Sequence, residues 1–188
     1  DPLTTTALAL DDGRDCAVMV SCDLVSIPDH LRDLVRERIA ARADGLDPQK
    51  VMLAGTHTHT GPELRLPEDS AGPLSGWPGV DLPASGAAEY VPFAAERIAE
   101  AVEQAWQSRT PGRLAFGLGY AVVGRNRRWV DHHGRSTMYG DTNTPEFSHI
   151  EGHEDHSLGV LVTRDADGGM TGLLVNVPAP AQVTEHDY

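Results

Sequence analysis

Two apolar, β-prone runs, Cys16 to Cys22 and Val51 to Ala54, flank a single amphipathic helical stretch, and this β-α-β pattern limits the fold more than any other feature. Leu31, Leu34, Val35 and Ile39 recur at the spacing of a helix that buries one face. Ser26-Ile27-Pro28-Asp29 ahead of them reads as a helix start, with a hydroxyl cap, an early proline and an acid three residues on. Gly45 is the expected stop. Strands joined through a helix lie parallel, with a right-handed crossover. Thr5 to Leu10 adds a third run, tied to Cys16 by Asp11-Asp12-Gly13-Arg14-Asp15, which predicts a hairpin. The expected fold class is therefore α/β: a mixed β-sheet with a β-α-β unit and helices packed on it.

The run from Val51 ends in Gly55-Thr56-His57-Thr58-His59-Thr60-Gly61-Pro62. Residues two apart in an extended chain point to one face, so both imidazoles can reach one ion, or one can bind metal while the other faces substrate. Imidazole is the commonest neutral metal ligand and the usual acid or base near neutral pH. The threonines fit strand geometry and carry hydroxyls able to orient the rings. The carboxyl end of a parallel strand is also where open α/β sheets bind ligands. Two solvated loop histidines are the bland alternative, and the strand before them and the Gly-Pro break after them weigh against it.

Residues 61 to 87 are rich in glycine and proline and almost without periodicity. A loop of that length in a compact domain is functional or disordered. Trp77 within it lines a cleft or simply anchors the loop. A second helix is expected from about Glu89 to Ser108, with Tyr90, Phe93, Ala94, Ile98, Ala101, Val102 and Ala105 as its buried stripe. Arg113 to Val123 reads as a strand in which Gly117 and Gly119 suggest a bend. Gly124-Arg125-Asn126-Arg127-Arg128-Trp129 then places three arginines together, a feature suited to a carboxylate, an oxyanion or a sugar hydroxyl, and equally to a solvated basic turn. Asp131 to His156 is polar. Its densest group, His149, Glu151, His153, Glu154, Asp155 and His156, has donors for a second metal or is a solvated acidic loop. Leu158 to Thr163 and Leu173 to Val177, joined by Asp165-Ala166-Asp167-Gly168-Gly169, predict a second hairpin.

Composition narrows the partners. Of 188 residues, 15 are Lys or Arg and 28 are Asp or Glu, a net charge of -13. That argues against nucleic acid and against an anionic membrane surface. A small molecule, a neutral amphiphile or a sugar remains open, as does the oligomeric state. No apolar stretch approaches the roughly 20 residues of a membrane span. The chain opens on Asp1 and shows no basic-then-apolar leader. Its two cysteines, Cys16 and Cys22, fall on one predicted strand, about 20 Å apart at roughly 3.3 Å per residue. A disulfide needs about 4.4–6.8 Å between Cα atoms, so these two cannot pair. They read as core thiols and leave the compartment open. No repeat, phosphate-binding glycine loop or Gly-x-Ser-x-Gly elbow is present.

Several segments together resemble the neutral/alkaline, non-lysosomal ceramidases and their bacterial relatives. These are Asp1-Pro2-Leu3, Ser21-Cys22-Asp23-Leu24 with Ile27-Pro28, Thr56-His57-Thr58-His59-Thr60-Gly61-Pro62, Gly124-Arg125-Asn126-Arg127-Arg128 and Asn176-Val177-Pro178. The resemblance implies a zinc amidase that cuts the N-acyl bond of ceramide. It implies His57 as a zinc (Zn2+) ligand, His59 facing the scissile amide or its oxyanion, and Arg127 as a second polar contact. Bound zinc would polarise the carbonyl or activate a water. It also implies a soluble, secreted setting.

The chain departs from the family pattern in three places. Pro180 or a neighbour stands where the family has a second zinc histidine. The family's Gly-Asp-Val-Ser-Pro-Asn segment, with its proposed catalytic serine, and its later Glu and Tyr ligands have no counterpart. Its glycine-rich segment ahead of Asp-Pro-Leu is absent too. The expectation is a single domain over residues 1–188, the N-terminal portion of a ceramidase-like catalytic domain and inactive as an amidase by itself. The missing ligands would come from His186, from the His149, His153 and His156 group or from residues beyond Tyr188. Two other readings remain: a metal-dependent enzyme acting on carbohydrate, and a catalytically incompetent binding domain of the same fold.

Overall fold

The computed structural model describes residues 2–62, 64–66 and 86–181. Trp77 and His186 lie outside them. The chain divides into two compact units, Asp1–Thr110 with Ala181–Tyr188, and Pro111–Pro180.

In the first unit, β1 (Thr5–Asp11) and β2 (Cys16–Cys22) form the expected antiparallel hairpin, in register from Thr5 opposite Cys22 to Asp11 opposite Cys16. Its turn is fastened by Asp12, whose Oδ1 accepts from the backbone N–H of Arg14 at 2.9 Å and of Asp15 at 2.8 Å. α1 (Asp29–Arg42) follows, then a single 3-10 turn (Pro48–Lys50) and β3 (Val51–Gly55), which pairs parallel with β2 from Val18–Val51 to Cys22–Gly55. The mixed sheet and its β-α-β unit are as predicted.

The start of α1 is not. Pro28, rather than Ser26, is the N-cap, and no side chain caps the helix. Proline supplies extended backbone there, and its carbonyl accepts from Arg32 N at 3.0 Å, so the first turn closes without a hydroxyl. The helix ends at Arg42, and Gly45 adopts a φ of +77°, a left-handed conformation that only glycine enters freely.

α2 (Ala87–Gln107) packs on α1 and on the sheet. Its buried residues are Val91, Ala94, Ala95, Ile98, Ala99, Val102 and Trp106, a stripe rotated from the predicted one. Phe93 is 55% exposed. The physical reason is size: Ala94, Ala95 and Ala99 let the helix approach its neighbours closely, and Tyr90 and Phe93 take the flank. There Tyr90 and Phe93 stack with ring centroids 5.5 Å apart. Leu31, Val35 and Ile39 from α1 are fully buried with Val18, Val20, Cys22 and Val51 from the sheet. Each such aliphatic side chain contributes about 1.5–3 kcal/mol over its exposed state. Glu96 of α2 pairs with Arg38 at 3.5 Å and with Arg42, tying the two helices at the core's edge.

In the second unit, β4 (Arg113–Tyr120), β8 (Ser157–Arg164) and β9 (Met170–Asn176) form an antiparallel sheet in the order β4-β8-β9. The predicted second hairpin is β8-β9. Its turn closes through Asp165, which accepts from Gly169 N at 2.7 Å. Leu114, Phe116, Leu118 and Tyr120 of β4 are all exposed.

The stretch read as polar, Asp131 to His156, together with the two residues before it, carries three short strands, β5 (Trp129–Asp131), β6 (Ser136–Thr137) and β7 (Phe147–Ile150), ordered β6-β5-β7. They escape a periodicity search because none exceeds four residues. What holds them is Asp131, 7% exposed, which accepts from His133 N, Arg135 N and Arg135 Nε at 2.8, 2.9 and 2.7 Å. Trp129 and Phe147 add a ring contact at 5.9 Å. Arg135 N chiefly, helped by the Arg135 side chain and His133 N and against the desolvation of its site, lowers the Asp131 carboxyl to about 2.

Candidate functional site

The carboxyl end of β3 is enclosed by the turn that follows β2. Thr56 N donates to Cys22 O at 2.9 Å and His57 N to Leu24 O at 3.0 Å, while Leu24 N bonds back to Cys22 O at 2.8 Å. The two segments touch so closely that a Cβ on Gly55 would lie 2.7 Å from Leu24 O. Glycine is required here by close approach, not by dihedral angle.

This enclosure changes how the histidines are presented. β3 stops at Gly55, and His57 sits at a φ of +62°, the left-handed region. Extended i, i+2 geometry therefore does not deliver the two rings. A left-handed residue does, at a strain of about 1–2 kcal/mol for a side chain with a Cβ. The rings still meet, with centroids 5.1 Å apart and planes tilted by 60°. Both histidines are exposed.

His57 Nδ1 lies 2.8 Å from the Val25 carbonyl. A carbonyl only accepts, so in the neutral ring Nδ1 carries the proton and Nε2 carries the lone pair. Metal-bound histidines are oriented in this way, with one ring nitrogen donating to a backbone carbonyl or carboxylate and the other left for the ion. His57 thus fits a ligand role. The threonines do something other than orient the rings. Thr56 Oγ1 reaches Asp23 Oδ1 at 3.4 Å, and Thr58 Oγ1 meets Thr60 Oγ1 at 2.9 Å. Ala181 N, one residue beyond Pro180, donates to Thr56 O at 3.1 Å. Among the described residues no group of three or more His, Cys, Asp or Glu is arranged to hold an ion, so a complete donor set is not found around His57.

In the second unit the three arginines of 125–128 divide by partner. Arg125 pairs with Glu154 at 3.3 Å, and Arg128 pairs with Glu151, with Nη2 at 3.2 Å from Oε1. Arg127 instead lies over the Tyr139 ring, 4.8 Å from its centroid, and no ion pair for it occurs among the described residues. Guanidinium on an aromatic face leaves the fork of N–H donors open to a ligand. No pattern in the sequence marks Tyr139, which lies in a polar stretch.

The carboxylates of the His149–His156 group are occupied rather than gathered. Glu151 is lowered to about 2, first by Arg128 and then by Ser136 Oγ at 2.6 Å. Glu154 is lowered chiefly by Asn126 N at 2.8 Å, and Asp155 accepts from Ser157 N at 2.8 Å. Groups this acidic stay ionised near neutral pH and are poor proton acceptors. The second metal site considered for these residues does not assemble. β3 and β4 also belong to different sheets, so no single sheet edge carries both His59 and Arg127.

The architecture is α/β, with a mixed sheet, a β-α-β unit and a histidine pair just past a parallel strand. In sequence the chain is 30% identical over 160 residues to the neutral ceramidase of Pseudomonas aeruginosa, a match that covers 84% of this chain and 21% of that protein. In structure it is similar to a ceramidase complexed with C2 (TM-score 0.58, 23% identity, 93% of this chain and 25% of that one). It is similar also to the neutral ceramidase of Pseudomonas aeruginosa (TM-score 0.53, 24% identity, 89% and 24%). The ceramidase resemblance read from the residues is borne out, and the chain spans between a fifth and a quarter of the proteins it matches. No family model matches it. Among the described residues no helix is long and apolar enough to cross a membrane.

Proposed function

We propose that residues 1–188 are part of the catalytic domain of a ceramidase-like hydrolase that cleaves the N-acyl amide bond of a ceramide-like lipid with zinc. His57 is its metal ligand, and His59 and Arg127 are its substrate contacts. The observation that carries this reading is the bond from His57 Nδ1 to the Val25 carbonyl, which leaves Nε2 as the ligating nitrogen. When bound, zinc would supply a Lewis acid for the amide carbonyl or for a water. The chain's own residues do the rest. The Leu24 and Val25 carbonyls hold the His57 backbone and ring. His59, beside it, offers an imidazole to the scissile amide or its developing oxyanion. The Arg127 guanidinium, backed by Tyr139, donates to oxygen on the substrate.

The test is metal content and N-acyl sphingoid hydrolysis of the full-length protein, wild type against His57→Ala. A lower zinc stoichiometry and lost hydrolysis in the variant support the assignment. Equal stoichiometry sinks it. A binding domain of the same fold is the second reading, favoured by the lack of a three-donor group among the described residues. Absence of zinc from the wild-type protein would select it.

A further inference from the structure

Asp23 has no part in the reaction outlined above, although it belongs to the Ser21-Cys22-Asp23-Leu24 motif that the sequence singles out. Its half-buried carboxylate is placed where three segments meet. Oδ2 accepts from Thr4 N at 2.8 Å and from Thr4 Oγ1 at 2.7 Å. Oδ1 faces Thr56 Oγ1 at 3.4 Å. Asp23 N donates to Thr4 O at 3.0 Å, so Thr4 is held through three bonds.

The consequence lies one and two residues on. The turn that Asp23 ties down presents Leu24 O to His57 N and Val25 O to His57 Nδ1. Gly61 presses on the same turn, since a Cβ there would lie 3.2 Å from Asp23 O. The left-handed backbone of His57 is therefore held from outside, by a turn whose own position depends on one carboxylate. Strain at a single residue persists only where its surroundings over-determine it.

We propose that Asp23 is the positioning residue for His57: it locks the turn after β2 so that His57 keeps a single tautomer, Nδ1–H to Val25, with Nε2 presented to the metal. The inference rests on the metal reading for its purpose, but not for its test. Substituting a partner that orients a metal-bound histidine costs about 10–100-fold in metal affinity. Asp23→Ala removes the side-chain acceptors and leaves both Thr4 donors without one.

The experiment takes the full-length protein, wild type and Asp23→Ala, and reads two quantities. One is the His57 tautomer in metal-free protein, from long-range 15N–1H correlations of the imidazole. The other is zinc affinity by competition with a chelator. Protection of Cys22 from alkylation reports that the sheet is intact. The expected result is one Nδ1–H tautomer in the wild type. In Asp23→Ala, mixed tautomers and an affinity lower by about 10–100-fold should appear with Cys22 still protected. A retained single Nδ1–H tautomer in the variant overturns the inference, whatever its zinc affinity. If Asp23→Ala exposes Cys22, Thr4→Val decides by the same tautomer reading. A wild type that takes up no zinc through His57 refutes the metal reading alone, and the tautomer comparison still decides the role of Asp23.

Discussion

Gly55→Ala isolates the contact on which the strand end depends. Nothing in the dihedral angles of Gly55 demands glycine, so the substitution acts through space alone. The added methyl carbon would stand 2.7 Å from Leu24 O and 3.5 Å from Ser26 Cα, and the first distance has to open to 3.0 Å or beyond. Leu24 O cannot recede freely, because it accepts from His57 N at 3.0 Å. Forcing an extra methyl into a packed site costs about 1–3 kcal/mol. Weakening the Leu24–His57 bond adds about 0.5–1.5 kcal/mol. Against this, alanine restricts the unfolded chain and returns about 0.4–1 kcal/mol. The net expectation is a loss of about 0.5–4 kcal/mol, measured as a shift in the urea midpoint at constant m. Gly117→Ala is the control, since a Cβ there meets nothing within 4 Å, and it should be neutral or slightly stabilising. If Gly55→Ala unfolds at the wild-type midpoint, the turn after β2 yields without cost and cannot be what fixes His57.

Three further outcomes are expected. Asp131, at about 2 in the fold against an ordinary 3.8, supports the β5-β6-β7 sheet fully above about pH 4 and loses that support as pH falls through about 2. Acid unfolding of the second unit should therefore flatten over that window in Asp131→Asn, and identical profiles would show that the carboxylate is not the sheet's anchor. Burial pushes the Cys22 thiol up to about 11, so iodoacetamide near pH 8 should modify the partly exposed Cys16 first and Cys22 only on unfolding; equal rates would contradict the packing of β2. Under the proposed hydrolase activity of the full-length protein, His59→Ala and Arg127→Ala should each lower kcat/KM by at least about tenfold, about 1.4 kcal/mol of transition-state stabilisation, and a wild-type value in either would remove that residue from the proposed site.

The first unit was legible where a residue's fate depends on its near neighbours in sequence. Apolar, β-prone runs marked β2 and β3, helical spacing marked α1, and Gly45 marked its end. The α2 stripe was misjudged because hydrophobicity alone ranks Phe93 above Ala95. Packing distance decides instead, and Ala95 at 0% exposed is the buried one. The strands β5 to β7 were invisible because their cohesion lies in one carboxylate, Asp131, and in pairings across the 130s and 140s. At the site, the histidines could be read but their presentation could not. The group that orients His57 is a backbone carbonyl 32 residues away in sequence, and a carbonyl has no letter in the sequence.

That last point bears on how the strand end can vary. A strand running straight through His57 would place its ring by the pleat, and any residue with the right β-propensity could flank it. Here the ring is placed by a turn from a neighbouring strand. The constraint therefore falls on Gly55, which must leave room for Leu24 O, and on Asp23, which must hold Thr4. It falls also on the segment after β9, where Ala181 N meets Thr56 O. By resemblance to the family, that segment would carry a second histidine, and Pro180 stands there instead. Proline offers a metal no side-chain donor, and its ring fixes the backbone just before the Ala181 bond. Ala181 thus fastens this segment to Thr56 through backbone alone. Under the metal reading proposed for His57, position 180 gives that histidine no partner ligand.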